Sequence, residues 1–142
     1  EKVGTGHAQS KLDSALAWCA SAKLPKHSWV QMPVPKGEKL AGFTTQGRSQ
    51  HAQWVTKYVV IYHDGKKWHN AGTYTGNKDK TSKVTHMLKT PVAANYVRFY
   101  PKSVHNYLCM RAGLVVCEAQ VAAADAKATG PPGPTGVKGP TG

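Results

Sequence analysis

The most restrictive feature of this 142-residue sequence is a glycine at every third position of its C-terminal end. From Gly130 the chain reads GPP-GPT-GVK-GPT-G, with Pro or Val directly after each internal glycine. Three polyproline-II chains can wind around a shared axis only where every third side chain is a hydrogen atom, because nothing larger fits there. The period therefore predicts that residues 130–142 belong to a triple helix of three chains.

This Gly-X-Y repeat is the period of collagen, and it divides the chain. Four triplets are too few to hold a trimer, so we expect a longer collagen-like segment beyond Gly142. The preceding residues 119–129 are rich in alanine and contain no aromatic residue, which is typical of a linker or a short helix. Residues 1–118 are left to form one domain with its own core.

Composition restricts the class of protein. Hydrophobic residues make up 40% of the chain, too many for a disordered protein, and no run approaches the roughly 18 apolar residues of a membrane-spanning helix. Nineteen Lys and Arg against seven Asp and Glu give a net charge of +12. The lysines are spread along the chain, and such a dispersed charge favours anionic partners without naming one.

The reactive side chains form no catalytic pattern. The acidic residues are scattered, and none lies in a G-x-S-x-G or H-E-x-x-H context, so we expect no enzyme. His63, Asp64 and His69 flank a predicted turn and are poor candidates for a metal site. Nucleic acid is not an expected partner, because a collagen-like end indicates an extracellular protein.

Most of residues 1–118 read as β-strands. The run 54–62 is β-branched and aromatic and leads into Asp64-Gly65, a dipeptide typical of a two-residue hairpin turn. Further strands are predicted at 28–34, 40–46, 66–69, 83–89, 96–100 and 108–117. Many short strands separated by Gly, Pro and Asn predict an all-β sandwich or barrel. Residues 11–22 stay open between a helix and a loop that enters a strand.

A series of short motifs adds a family resemblance. In order they are KLDS (11–14) with AWC (17–19), SWVQM (28–32), TQGR (45–48), WVTKY (54–58), YHDGKKW (62–68), YVRFYP (96–101), and MR (110–111) leading to CE (117–118). In this order they resemble the discoidin family, also called coagulation-factor (F5/8) type C domains. The resemblance implies an antiparallel β-sandwich or jelly roll whose loops at one end bind ligands. The chain departs from the family in lacking its N-terminal Cys and first strand, and the aromatic residue expected near Pro101 is displaced to Tyr107.

The three cysteines have no zinc or redox spacing, and disulfide bonding is their better use. The resemblance to receptor-type members implies a bond between Cys19 and Cys109. Cys117 is then odd, and its partner lies either upstream of Glu1 or on a second chain. Disulfide bonds and collagen both indicate an extracellular, secreted protein.

The resemblance places the ligand-binding loops at 4–10, 20–27 and 48–53, which carry basic and histidine side chains and no acid. The candidate ligand-binding residues are Arg48, His51, Gln53, Lys26 and His27. Arg48 can hold an oxyanion through two parallel hydrogen bonds, and its alternative role is to bind loop carbonyls inside the protein. Gln53 offers an amide to a sugar hydroxyl.

Other residues are expected to be structural. The sequence places the tryptophans in the core and the two strand arginines in the framework: Trp18, Trp29, Trp54, Trp68, Arg98 and Arg111. Leu24 and Pro25 are the only bulky apolar residues of the loops, so binding to a membrane surface is not expected. No cofactor is expected. The weaker alternative is calcium, which sugar-binding relatives hold partly through a carboxylate at the position of Glu118.

These observations predict an extracellular adhesion module on a collagen-like stalk. Its partners would be anionic glycans or matrix proteins, and the collagen-like segment would make it a homotrimer whose linked heads bind with avidity. The alternative from a different class is a structural matrix protein, whose head directs the assembly of collagen-like fibres. Recognition of collagen or phospholipid is a third reading.

Overall fold

The protein folds as two antiparallel β-sheets packed face to face, as seen in a computed structural model. The structure describes residues 11–24 and 27–118. Several predictions fall outside the described residues: the loop 4–10, Lys26, the linker 119–129 and the collagen-like segment 130–142.

Eight strands make up the two sheets. In chain order they are β1 (Trp18–Cys19), β2 (Val30–Pro33), β3 (Glu38–Gln46), β4 (Trp54–His63), β5 (Trp68–Thr75), β6 (Val84–Val92), β7 (Tyr96–His105) and β8 (Cys109–Glu118). One sheet has the order β1-β8-β3-β6 and the other the order β2-β7-β4-β5. The predicted all-β antiparallel sandwich is confirmed. The open segment 11–22 is irregular until it reaches β1, and no described residue belongs to a helix that could span a bilayer.

The core lies between the inner faces of the two sheets. Along β7 the buried Val97, Phe99 and Pro101 alternate with more exposed residues, as the two-residue period of a strand requires. Phe43 of β3 crosses the interface, and its ring meets those of Tyr74, Phe99 and Tyr58 edge-on, with centroids 4.7 to 6.2 Å apart. Such edge-to-face pairs are the favoured geometry for aromatic rings.

The hairpin between β4 and β5 differs from its prediction. Its loop contains the four residues 64–67, and β5 resumes at Trp68 rather than at Lys66. The side chain of Asp64 accepts hydrogen bonds from the backbone N–H groups of Lys66 and Lys67 at 2.7 and 2.9 Å. Asp64 thereby replaces the short Asp-Gly turn with a wider loop that its own carboxylate closes.

The prediction of four core tryptophans is wrong for Trp29 and Trp68, which are 42% and 40% exposed. Both lie on the solvent side of the β2-β7-β4-β5 sheet, where the guanidinium of Arg98 covers part of each ring. Trp18 packs against the core as predicted. Trp54 is half-buried at the start of β4.

The predicted disulfide between Cys19 and Cys109 is confirmed. The two residues lie directly opposite each other in the β1–β8 pair, and the bond links positions 90 residues apart. Cys117, the second-last residue of β8, is a half-buried free thiol.

Candidate functional site

Four strand ends meet at one pole of the sandwich and carry the predicted loops. There β3 ends beside β8, with Gln46 opposite Arg111, and β4 begins beside the end of β7, with Trp54 opposite His105. We call the surface formed by residues 20–24, 27, 47–53 and 105–108 the rim. It contains the described parts of two predicted ligand-binding loops.

A third segment, 106–108, ties these loops together. Asn106 Nδ2 donates to the carbonyl of Ala52 at 2.8 Å, and the hydroxyl of Tyr107 donates to the carbonyl of Ala20 at 2.9 Å. The backbone N–H of Leu108 donates to the carbonyl of Lys23 at 2.8 Å. The loops 20–24 and 47–53 are therefore fixed relative to each other through their common neighbour.

Sequence reasoning missed segment 106–108 as part of the site. A signal was present in the aromatic residue displaced to Tyr107, whose hydroxyl reaches across the rim. Asn106 is a second signal, since it adopts a left-handed backbone with φ of 67°, which Asn tolerates better than most residues. The base of this segment is also covalent, because Cys109 follows it and is bonded to Cys19.

Arg48 is held by Gln53 across the 48–53 loop. Its backbone N–H donates to the carbonyl of Gln53 at 2.9 Å, and its Nη1 donates to Oε1 of the same residue at 2.8 Å. Its Nε is buried and has no hydrogen-bond partner. The structure thus shows one edge of the guanidinium committed to the loop and the other edge, Nε with Nη2, without a hydrogen bond to the described residues.

The other predicted site residues lie at different depths. His51 and His27 are exposed, and His27 adopts a left-handed backbone with φ of 58°. Gln53 is half-buried, and its side-chain oxygen is occupied by Arg48. Lys26 is outside the described residues. The structure therefore joins Arg48 to Gln53 directly, whereas His27 and His51 share only the rim.

An aromatic pair that the sequence did not single out joins the rim to the start of β4. His105 stacks on Trp54, with ring centroids 4.2 Å apart and planes within 9° of parallel. The pair follows from the β4–β7 register, which puts the two residues opposite each other. Since His105 covers one face of the indole, Trp54 is only partly available as a stacking surface.

Positive charge on the rim is not balanced by acids. Residues 20–24, 27, 47–53 and 105–108 contain no Asp or Glu. The nearby carboxylate of Asp13 is bound to Lys83 Nζ at 2.6 Å, and this hydrogen bond, with a second from Gln46, holds the pKa of Asp13 below its usual value. An anion that approaches the rim therefore meets Arg48 and Lys23 without competition from a rim carboxylate.

Arg111 has the framework role that the sequence predicted. It is buried behind the rim and donates to the carbonyls of Gly47, Ser14 and Lys80 at 2.8 to 3.0 Å. Burial lowers the pKa of its guanidinium. Its three hydrogen bonds fasten the end of β3 to two neighbouring loops, so the rim rests on a fixed base.

The described residues contain no group of three or more His, Cys, Asp or Glu side chains that could hold a metal ion. Glu118, the residue considered for calcium, lies opposite Glu38 at the far end of β8 from the rim. We propose no metal site.

Known proteins resemble this chain over most of its length. The F5/8 type C domain family matches residues 1–114. Retinoschisin of Takifugu rubripes is 30% identical, over 63% of this chain and 35% of its own length. Lactadherin of Rattus norvegicus is 34% identical, over 71% of this chain and 26% of its own length.

A solved structure gives the same fold. Recombinant discoidin II of Dictyostelium discoideum superposes with a TM-score of 0.66 at 27% identity, covering 73% of this chain and 42% of that one. The chain spans roughly a third to just over half of the length of the retinoschisins it matches, at 35%, 56% and 46%.

Proposed function

Because the chain belongs to the F5/8 type C domain family, whose members are non-enzymatic binding modules, we propose that it is an extracellular adhesion module whose rim binds an anionic glycan. A matrix protein that presents carboxylates or sulfates is the second ligand class with the same chemistry. The disulfide between Cys19 and Cys109 supports the extracellular setting, because such bonds persist in oxidising compartments.

The observation that carries this proposal is the state of Arg48. Gln53 fixes Nη1, so the guanidinium keeps one orientation while Nε and Nη2 stay without hydrogen bonds to the described residues. Nε is buried, so Nη2 is the donor that meets an oxygen of a carboxylate or sulfate, in a charge-assisted hydrogen bond. Lys23, His27 and His51 add further basic groups to the same rim.

We propose that the collagen-like segment 130–142 joins three such heads. Each rim would bind one glycan weakly, and linked heads can raise the apparent affinity by roughly a hundredfold or more without any new contact. The sequence period of this segment supports the proposal.

The test is a binding measurement on glycans with Arg48→Ala. We expect its affinity for a sulfated glycan to fall about tenfold or more, because a hydrogen bond to a charged group contributes about 1.5 to 3 kcal/mol. Lys36→Ala is the matched control, since it removes one positive charge from the exposed loop at the opposite pole. Arg48→Lys should lie between the two, because it keeps the charge and loses the planar guanidinium that Gln53 orients.

Three outcomes would contradict the proposal. Wild-type affinity of the Arg48→Ala variant for the glycan would show that the rim is not the binding site. Silence of the wild-type chain on a glycan array, with trimers or fibres still formed, would favour the structural matrix protein. Binding to triple-helical peptides in place of glycans would make the protein a collagen receptor.

A further inference from the structure

The outer face of the β2-β7-β4-β5 sheet carries several exposed aromatic residues. Trp29 and Trp68 are exposed there, and Tyr96 at the start of β7 is 45% exposed. Arg98 lies between the two indoles, and Gln31 is its neighbour across the β2–β7 pair. We call these five residues the tryptophan–arginine patch.

Arg98 is held in place by contacts with three other patch residues and with Tyr100. Its guanidinium carbon lies 4.2 Å from the ring centroid of Trp29 and 4.4 Å from that of Trp68. Its Nε donates to Gln31 Oε1 at 2.7 Å, and its Nη1 donates to the hydroxyl of Tyr100 at 3.3 Å. The remaining Nη2 makes no hydrogen bond with the described part of the chain, so the fixed guanidinium keeps one donor for a ligand beside the two indoles.

The sheet that bears the patch contains no acidic residue. None of the strands β2, β7, β4 and β5 includes Asp or Glu, whereas Lys57, Arg98 and Lys102 all lie on them. Asp64, in the loop at the end of this sheet, is engaged by His69 and by two backbone N–H groups. Within these four strands the charge of Arg98 has no acidic counterpart, which complements an anion.

We propose that the tryptophan–arginine patch is a second glycan-binding site, specific for acidic polysaccharides. The C–H groups on one face of a pyranose ring are apolar and slightly positive, which suits the negative face of an indole. Trp29 and Trp68 are 42% and 40% exposed, so part of each indole is accessible to a sugar ring, although Arg98 lies over both rings and His63 meets Trp68 edge-on with centroids 5.0 Å apart. The sugar's carboxylate or sulfate then accepts from Arg98 Nη2, a charge-assisted bond.

The patch extends away from the rim. Trp29 is two residues beyond His27 in the chain, whereas Trp68 and Tyr96 both lie opposite His63, at the end of β4 that is far from the rim. The inference shares with the proposed function only the class of ligand, because none of the five patch residues is among the rim residues.

The wild-type full chain offers a test without any mutation. Its four tryptophans report on different places: Trp29 and Trp68 on the patch, Trp54 on the rim through its contact with His105, and Trp18 on the packed interior. We expect the indole N–H signals of Trp29 and Trp68 in a ¹⁵N NMR spectrum to move on titration with a heparin hexasaccharide. The signal of Trp18 should stay in place, and neutral maltohexaose should move none of the four.

A variant pair gives an independent measurement. Trp68→Ala should weaken binding of the heparin hexasaccharide roughly fivefold or more, as truncation of an important interface aromatic does. Met87→Ala is the matched control, since Met87 is 59% exposed on β6 of the other sheet. If Trp68→Ala does not fold, Arg98→Lys tests the same site, because it keeps the charge and loses the planar contact with both rings.

The outcomes separate the two sites. Movement of the Trp54 signal without that of Trp29 and Trp68 would contradict glycan binding at the patch and support binding at the rim. Movement of Trp29 and Trp68 alone, with full binding by Arg48→Ala, would support the patch and overturn the rim. Equal shifts with maltohexaose would overturn the requirement for an acidic sugar, and equal shifts and affinity with poly-glutamate would overturn the glycan class.

Discussion

At the scale of single residues, one carboxylate organises the loop between β4 and β5. Asp64 Oδ1 accepts the backbone N–H groups of Lys66 and Lys67, and Oδ2 pairs with His69 Nε2 at 2.7 Å. The hydrogen bond from His69, followed by those from the backbone, holds the pKa of Asp64 well below its usual range. His69 also stacks on Tyr62 at 4.9 Å, so the pair is anchored to the sheet.

We predict that this carboxylate makes the stability of the domain depend on pH in the acid range. A carboxyl whose pKa is lower in the folded state than in the unfolded state stabilises the fold above its unfolded pKa, about 4 for Asp. That stability is lost as the pH falls through the lower folded pKa. Asp64→Asn should therefore be less stable than wild type at pH 7, and the difference should narrow below about pH 4.

Urea unfolding at a series of pH values measures this difference. Asp64→Asn keeps a side-chain oxygen that can accept a backbone N–H, so it removes mainly the charge. A difference that stays constant from pH 7 to the acid limit would show that the turn owes nothing to the ionised carboxylate.

At the scale of the strands, close approach of backbones fixes where β3 ends. A methyl group on Gly47, the residue after β3, would lie 2.7 Å from the carbonyl oxygen of Asp79 and 2.9 Å from Cβ of Trp54. Both neighbours are rigid parts of the fold. Only a residue without Cβ allows the end of β3 to pass between the loop that contains Asp79 and the start of β4.

We predict that Gly47→Ala lowers the free energy of unfolding by about 1 to 3 kcal/mol, the usual effect of overpacking. Gly113→Ala is the matched control in β8, because its methyl group would meet only the side chain of Leu12, 2.6 Å from Cδ1. That flexible side chain can move, so the change should be under about 1 kcal/mol. Thermal or urea unfolding compares the two, and equal effects would contradict the distinction.

The strands themselves were predictable because runs of β-branched and aromatic residues are bounded by the residues that favour turns. The runs at 40–46, 54–62 and 96–100 all lie within observed strands. The faces of the strands were harder to predict. Trp29 and Trp68 read as core on hydrophobicity alone, yet the alternation that buries Val30 and leaves Gln31 exposed depends on register, which a single sequence does not state.

The rim was predictable only in part. Two loops followed from the family resemblance, whereas the contribution of Asn106 and Tyr107 depends on hydrogen bonds between residues 54 and 87 positions apart. The pairing of Arg48 with Gln53 is local, five residues apart, but the orientation that leaves Nε unpaired depends on packing. Contacts of this kind arise from the assembled sandwich.

At the scale of the whole molecule, one covalent bond closes most of the chain. The disulfide between Cys19 and Cys109 encloses a loop of 90 residues that contains all strands from β2 to β7. Such a bond restricts the unfolded chain far more than the folded one. It also links β1 to β8, two neighbouring strands of one sheet, at the base of the rim.

We predict that the double variant Cys19→Ala/Cys109→Ala loses roughly 4 to 5 kcal/mol of stability on the chain-entropy account. Cys117→Ala is the control, since Cys117 is a free thiol and its replacement should change stability by less than about 1 kcal/mol. Guanidinium unfolding gives both values. A reductant should destabilise wild type and leave the double variant unchanged, and equal sensitivity of the two would contradict the prediction.

The hydrogen bonds that join 106–108 to its two neighbouring loops all lie within the chain itself. We expect a partner to meet loops that these bonds already order, so that little ordering entropy is spent on arrival. Related partners should then associate at similar speeds and differ chiefly in how long they stay bound.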